Sequence, residues 1–227
     1  MINVKRLGHA TLTTPDIDRQ VAYYTEVVGL TLIERGKDRA FLACKTGLEA
    51  IALEPGKGNA LSRIAFQVAP GTDLGDVSRA LSKDGVKCER RKGISPGVAE
   101  AVVFTDLKGT QVEIFSDYAF ARDDGRTAGV MPLKLGHVAY RVDDVQKTVK
   151  FYCDVLGFRV SDWRDNSFAF LRCNTDQHGQ FRLRRRAAAS PPRFRGQRLG
   201  GDSACCGDSR QARHPSGLGT WSAHHWT

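Results

Sequence analysis

The sequence predicts an α+β fold of tandem strand-helix-three-strand (βαβββ) modules, paired into one complete N-terminal domain and one incomplete C-terminal domain. Three observations carry this. LGHATLTTPDIDRQVAYYTEVVGLTL, from Leu7, lies without a gap over LGHVAYRVDDVQKTVKFYCDVLGFRV, from Leu135. One residue of slip later, RAFLAC lies over FAFLRC. A repeat of this length implies a repeated supersecondary unit. Within each copy the apolar period changes from strand-like to helical and back. Between the copies lies a third, more divergent one. A single unit buries one face of a small sheet poorly, so the units should pair.

In the first module, residues 6–13 read as a strand. Asp16 follows Pro15 as a helix N-cap, and Ile17, Val21, Tyr24 and Val28 mark one helical face. Gly29 is placed to end that helix in the left-handed conformation. Strand-like runs follow at 30–35, 39–44 and 49–54. The second module has a strand at 61–68, a helix at 73–83, strands in VKCERR and AEAVVFTD, and the turn LKGT into QVEIFSD. The third opens with a strand at 135–142. Asp143 or Asp144 caps its helix, Val145, Val149 and Tyr152 mark the buried face, and Gly157 stops it. The expected divisions are an N-terminal paired-module domain at 6–116, a linker at 117–133, half of a C-terminal domain at 134–179 and a basic tail at 180–227.

Charge separates the tail from the rest. The chain carries a net +9, of which residues 180–227 hold nine Arg against two Asp and no Lys or Glu. The modular part is nearly neutral and advertises no polyanion partner, so no nucleic acid is expected. The start, MINVKRLGHA, has no apolar stretch of signal-peptide length, and no run approaches membrane-spanning length. The expected compartment is the cytoplasm, with no membrane partner. Cys44, Cys88, Cys153 and Cys173 read as small buried residues rather than ligands; Cys205 and Cys206 lie in the tail.

Paired modules that each open on a strand, two of them on Gly-His, resemble the vicinal oxygen chelate superfamily. The layout whose second domain opens with LGHVAYRVDDVQKTVKFYCDVLGF is similar to type I extradiol ring-cleavage dioxygenases. The resemblance covers residues 6 to about 179. It implies Fe(II), or Mn(II) in its place, held in the second domain by two His and one Glu. That triad leaves open positions for a catechol-type aromatic and O₂. The first ligand carries over to His137, whose bland reading is a hydrogen-bonded histidine at a strand end. The partner His and Glu belong to a fourth module. In the N-terminal half the equivalent positions are His9, Arg63 and Glu113. A guanidinium has no lone pair to give a metal, so these three are expected to form a vestigial, metal-free site. Arg63 should face Glu113 there, with Tyr or solvent filling the rest. Acid-base residues would lie in the fourth module and cannot be named, and a homo-oligomer is compatible with the resemblance. Glyoxalases and antibiotic-sequestering proteins share the module, so a non-enzymatic small-ligand-binding or glyoxalase-like protein is the alternative.

The pattern breaks after FLRC. Where a fourth strand should follow, DQHGQFRLRRR shows no clear alternation, and Lys and Glu then vanish. No RGG period or aromatic interleaving suggests RNA binding. The genetic code offers another explanation. SPPRFRGQRLG, coded TCA CCA CCT CGC TTT CGA GGT CAA CGA CTG G, reads HHLAFEVNDW one base later, the strand and helix cap of a missing module. A frameshift near residue 176 is therefore expected, with a disordered tail. His178, His214, His224 and His225 would then be no designed ligands, and the chain would neither retain metal nor turn over. The third module's apolar face, with Val138, Tyr140, Phe151, Phe158, Phe168 and Phe170, is expected to lie partly exposed.

Overall fold

A computed structural model of the chain describes residues 1–173, 181–185 and 221–222. The first two modules build one curled eight-stranded sheet. Module one contributes β1 (Arg6–Thr14), α1 (Ile17–Ala22), β2 (Thr31–Arg35), β3 (Ala40–Ala43) and β4 (Glu49–Pro55). Module two contributes β5 (Ala60–Gln67), α2 (Leu74–Lys83), β6 (Cys88–Ser95), β7 (Val98–Thr105) and β8 (Gln111–Phe115). The order β2-β3-β4-β1-β5-β8-β7-β6 shows how the modules join. Each first strand runs parallel to its own last strand, β1 to β4 and β5 to β8, and the two first strands pair antiparallel at the centre. Pairing thus removes one open edge from each module.

The helix signals act as the residues require. Asp16 accepts the Arg19 amide at 2.9 Å, and Gly29 ends the segment at φ +82°. The helix does not stay α throughout: Tyr23–Val28 widens into a π-helical turn. In module three, Asp144 rather than Asp143 caps α3 (Val145–Leu156), accepting the Lys147 amide at 2.9 Å, and Gly157 closes it at φ +75°.

Strand alternation gives the large sheet two chemistries. Ile64, Phe66, Val112, Ile114, Val102 and Phe104 enter the main core with the helices. Ala65, Ala101, Val98 and Phe115 form a separate small cluster. His9, Arg63 and Glu113 share this second, inner face by the period of two.

Module three consists of β9 (Leu135–Val142), α3, β10 (Arg159–Arg164), β11 (Phe168–Arg172) and β12 (Phe181–Arg185). β12 runs parallel to β9 and antiparallel to β11, as β4 does to β1 and β3. The module therefore runs to Arg185, beyond the boundary at 179 that the lost alternation suggested. Edge pairing to β9 and β11 satisfies the backbone there whatever the side-chain pattern. Trp221–Ser222, β13, lies beside β9. The remaining expectations for the tail, including disorder, Cys205 and Cys206, fall outside the described residues.

The third module's apolar face is covered, contrary to expectation at three positions. Val138, Tyr140 and Phe158 are 3%, 1% and 3% exposed, while Phe151, Phe168 and Phe170 are half-buried. The cover comes from the N-terminal domain, whose helix-side core is continuous with that of module three. Phe66 meets Phe158 edge-on at 5.2 Å and Tyr152 at 6.4 Å between ring centres. Ile2 and Val4 donate backbone hydrogen bonds to the Val155 and Leu156 carbonyls. At the centre sits Asp106, in the turn between β7 and β8. Its carboxylate accepts the Tyr140 hydroxyl at 2.6 Å and the Tyr152 hydroxyl at 2.9 Å, and the amides of Lys108 and Thr110. Burial first, then the Asp106 charge, pushes both phenols well above the ordinary tyrosine range.

The segment 117–133 is a docked strap. Lys45 Nζ reaches Asp123 at 2.9 Å and Asp124 at 2.6 Å, Met131 donates its amide to the Val28 carbonyl, and Thr46 donates to the Leu133 carbonyl. A Cβ on Gly29 would strike the Ala128 carbonyl, so the crossing needs glycine. Cys44 and Cys173 are buried, Cys88 and Cys153 half-buried, and all four are free thiols. Among the described residues no helix is long and apolar enough to cross a membrane.

Candidate functional site

The central pairing of β1 and β5 decides which side chains meet. Thr11 stands opposite Arg63, and Ala65 lies beside Glu113 on β8. His9, Arg63 and Glu113 therefore converge on the inner face from three adjacent strands. His9 Nε2 is 3.2 Å from Glu113 Oε2, and Arg63 Nε is 3.4 Å from Glu113 Oε1. Arg63 also holds Glu54, on β4. The Phe115 ring stacks beside the imidazole, 6.3 Å away between centres.

One member of this cluster is absent from the sequence-based set. Glu49, at the start of β4, places Oε1 3.7 Å from His9 Nδ1. It occupies the imidazole edge where a Tyr or solvent was expected; Tyr118 instead binds the backbone nearby, accepting the Glu49 amide at 2.6 Å and donating to the Gly47 carbonyl at 3.0 Å. The available signal was a carboxylate opening an otherwise apolar strand, EAIAL. His9, Glu49 and Glu113 are each 2% exposed. Burial by itself works against a charged ring, but the fields of Glu49 and Glu113 outweigh it and the opposing Arg63 charge. The His9 pKa is raised in consequence.

The geometry does not suit a metal. Glu49 and Glu113 address opposite nitrogens of one ring, so the three donors do not converge on a point. Arg63 has no lone pair.

His137 lies on β9, half-buried, three residues before the Tyr140 that binds Asp106. By alternation it faces away from the helix side. The donor set required with it is two imidazoles and a carboxylate. Among the described residues no group of three or more His, Cys, Asp or Glu is placed to hold a metal. His178, His214, His224 and His225 lie outside the described residues. The residues described around His137 thus do not fit the iron or manganese that the resemblance implies.

Comparison with known proteins extends the reading. The chain is 27% identical over 193 residues to 2,2',3-trihydroxybiphenyl dioxygenase of Sphingomonas paucimobilis, covering 78% of this chain and 65% of that one. It is 22% identical to a manganese-dependent 2,3-dihydroxybiphenyl 1,2-dioxygenase of Geobacillus genomosp. 3, over 70% of this chain and 56% of that protein. It therefore spans less than two thirds of the length of these relatives. Among solved structures, the 2,3-dioxygenase LapB of Pseudomonas sp. KL28 superposes with a TM-score of 0.72 at 19% identity, covering 82% of this chain and 72% of that one. Residues 6–114 and 134–207 match one family model. The repeated modules, their antiparallel pairing and this match place the chain in the Glyoxalase/Bleomycin resistance protein/Dioxygenase superfamily.

Proposed function

We propose that the chain derives from an extradiol ring-cleaving dioxygenase acting on catechol-type aromatics with O₂. In this reading the paired N-terminal domain is a non-catalytic support, and His137 marks the first metal-ligand position of the second domain. The single observation that carries the proposal is the repeat of β1 by β9, which gives His137 the position in its module that His9 holds in the first. The relatives support the substrate class, being catechol-type dioxygenases at low identity. Fe(II) or Mn(II) would serve such a site once a second His and a Glu were supplied. The chain as written, with its text altered from about residue 176, is proposed to lack both donors and to retain no metal.

The test compares this chain with a variant in which one base restores the alternative reading frame from codon 176. Both are loaded anaerobically with Fe(II) and given 2,3-dihydroxybiphenyl and O₂. The restored protein should form a yellow ring-opened product and this chain should not. Turnover by this chain, with stoichiometric iron, would refute the proposal.

A second reading has its own observation. The tips of the β2–β3 and β6–β7 hairpins enclose a groove of about 540 Å³ lined by Lys37, Arg39, Phe41, Ser95 and Pro96, among others. A small-ligand-binding role without metal would use it. A catechol-dependent rise in the melting temperature of iron-free full chain, lost in Phe41→Ala, would favour that reading.

A further inference from the structure

The buried cluster of the N-terminal domain has a charge requirement that its position in the fold does not explain. We propose that His9 is held as an imidazolium, so that His9 and Arg63 together supply the two positive charges that a divalent ion would bring to such a pocket. The inference rests on the metal-free reading of the first domain and goes further, by assigning what replaces the ion.

Both ring nitrogens of His9 face a carboxylate, Nδ1 towards Glu49 of β4 and Nε2 towards Glu113 of β8. A neutral imidazole has one N–H and one lone pair. It would turn that lone pair on one of the two carboxylates in a place shielded from water. An imidazolium turns an N–H towards each carboxylate, and at 3.7 Å the Nδ1–Glu49 contact is an ion pair and not a hydrogen bond. Arg63 of β5 is directed to Glu113 and to the half-exposed Glu54 of β4. Among the described residues neither oxygen of Glu49 has a hydrogen-bond partner, and His9 is the cation beside it. A carboxylate buried this far without a counter-charge is costly. Two cations against two fully buried carboxylates close the balance. They also exclude a metal, because an ion would have to expel the His9 proton and displace the guanidinium from Glu113.

The test uses the ¹⁵N-labelled full chain and long-range correlation of the histidine ring nitrogens from pH 6 to 9, with His9 assigned by its loss in His9→Gln. Both His9 nitrogens should remain protonated at pH 8, where histidines in water have deprotonated around pH 6.5. Glu49→Gln should lower the His9 midpoint by about one unit or more, a tenfold change in proton affinity. A single protonated nitrogen at pH 7, with the spare proton on Glu49, would overturn the inference, as would a midpoint unmoved by Glu49→Gln. A cobalt arm separates this from the reading beneath it. One equivalent of Co(II) should leave the His9 signals sharp. Selective broadening of His9, relieved by Glu113→Gln, would overturn the metal-free reading itself.

Discussion

Replacing Tyr152 by Phe removes one hydroxyl and leaves the shape of α3 intact. In the native chain that hydroxyl donates to Asp106 at 2.9 Å, across the contact between module three and the N-terminal domain. Tyr152 is wholly buried, and Asp106 is 6% exposed. A hydrogen bond to a charged group contributes about 1.5–3 kcal/mol. The variant leaves the carboxylate with Tyr140 and two backbone amides, so the loss should stay in that range. At about 2–4 °C per kcal/mol for a chain of this size, the melting temperature should fall by roughly 3–12 °C. Tyr140→Phe should cost a similar amount, its bond being 2.6 Å long. Together the two removals leave a buried charge held by amides alone, at about 3–6 kcal/mol. Urea unfolding of the full chain, followed by near-UV circular dichroism, reads the cost. Asp106→Asn combined with Tyr152→Phe gives the coupling, expected above about 0.5 kcal/mol for groups in contact. If both Phe variants stay within about 0.5 kcal/mol of the parent, Asp106 is not the clamp described. The pH dependence has a definite sign. Both phenols have raised folded pKa values, so their contribution is complete below the unfolded value of about 10 and is lost as pH rises beyond it. The Phe variants should show a shallower fall in stability above pH 10.

Other consequences follow from the same contacts. His9 has a raised folded pKa, so its contribution is complete below about pH 6.5 and fades as pH climbs through the folded value; His9→Asn should cost about 3–5 kcal/mol at pH 6 and less at pH 9 by urea midpoint, and a larger cost at pH 9 would contradict the sign. Gly157→Ala forces a Cβ into the left-handed region and against the Ile2 carbonyl. It should cost at least about 1–3 kcal/mol, read as a lower melting temperature with early loss of module three. Lys45→Met releases Asp123 and Asp124, so trypsin should cut the strap at Arg122 or Arg126 several-fold faster, with little change in the melting temperature; an unchanged rate would show that the backbone and Thr46 contacts hold the strap without Lys45.

Much of the architecture was legible because it rests on short-range rules. Period-two and helical apolar runs, an Asp before a helix and a Gly after it are local signals, and Asp16, Gly29 and Gly157 act as those signals require. The repeat itself marked the modules. The π-helical widening at Tyr23–Val28 was not legible, since no local signal in its residues marks it. Nor was β12: its apolar-charged alternation runs for only four residues, Phe181 to Arg184, before a run of arginines, and its pairing with β9 and β11 shows only in the fold.

The site divides in the same way. Equivalence between repeats brought His9, Arg63 and Glu113 to notice, because strands at the same point of each module share a face. Glu49 escaped, because its neighbours in space come from β1 and not from its own strand. The apolar face of module three shows the limit most plainly. By itself the sequence determined that Val138, Tyr140 and Phe158 needed cover, since an alternating strand buries one face. Only the tertiary structure decided that the preceding domain supplies it, with Phe66 against Phe158 and Asp106 on the Tyr140 hydroxyl. Apolar surface demands burial without specifying a partner, whereas a buried hydroxyl and carboxylate must meet at one distance and one angle.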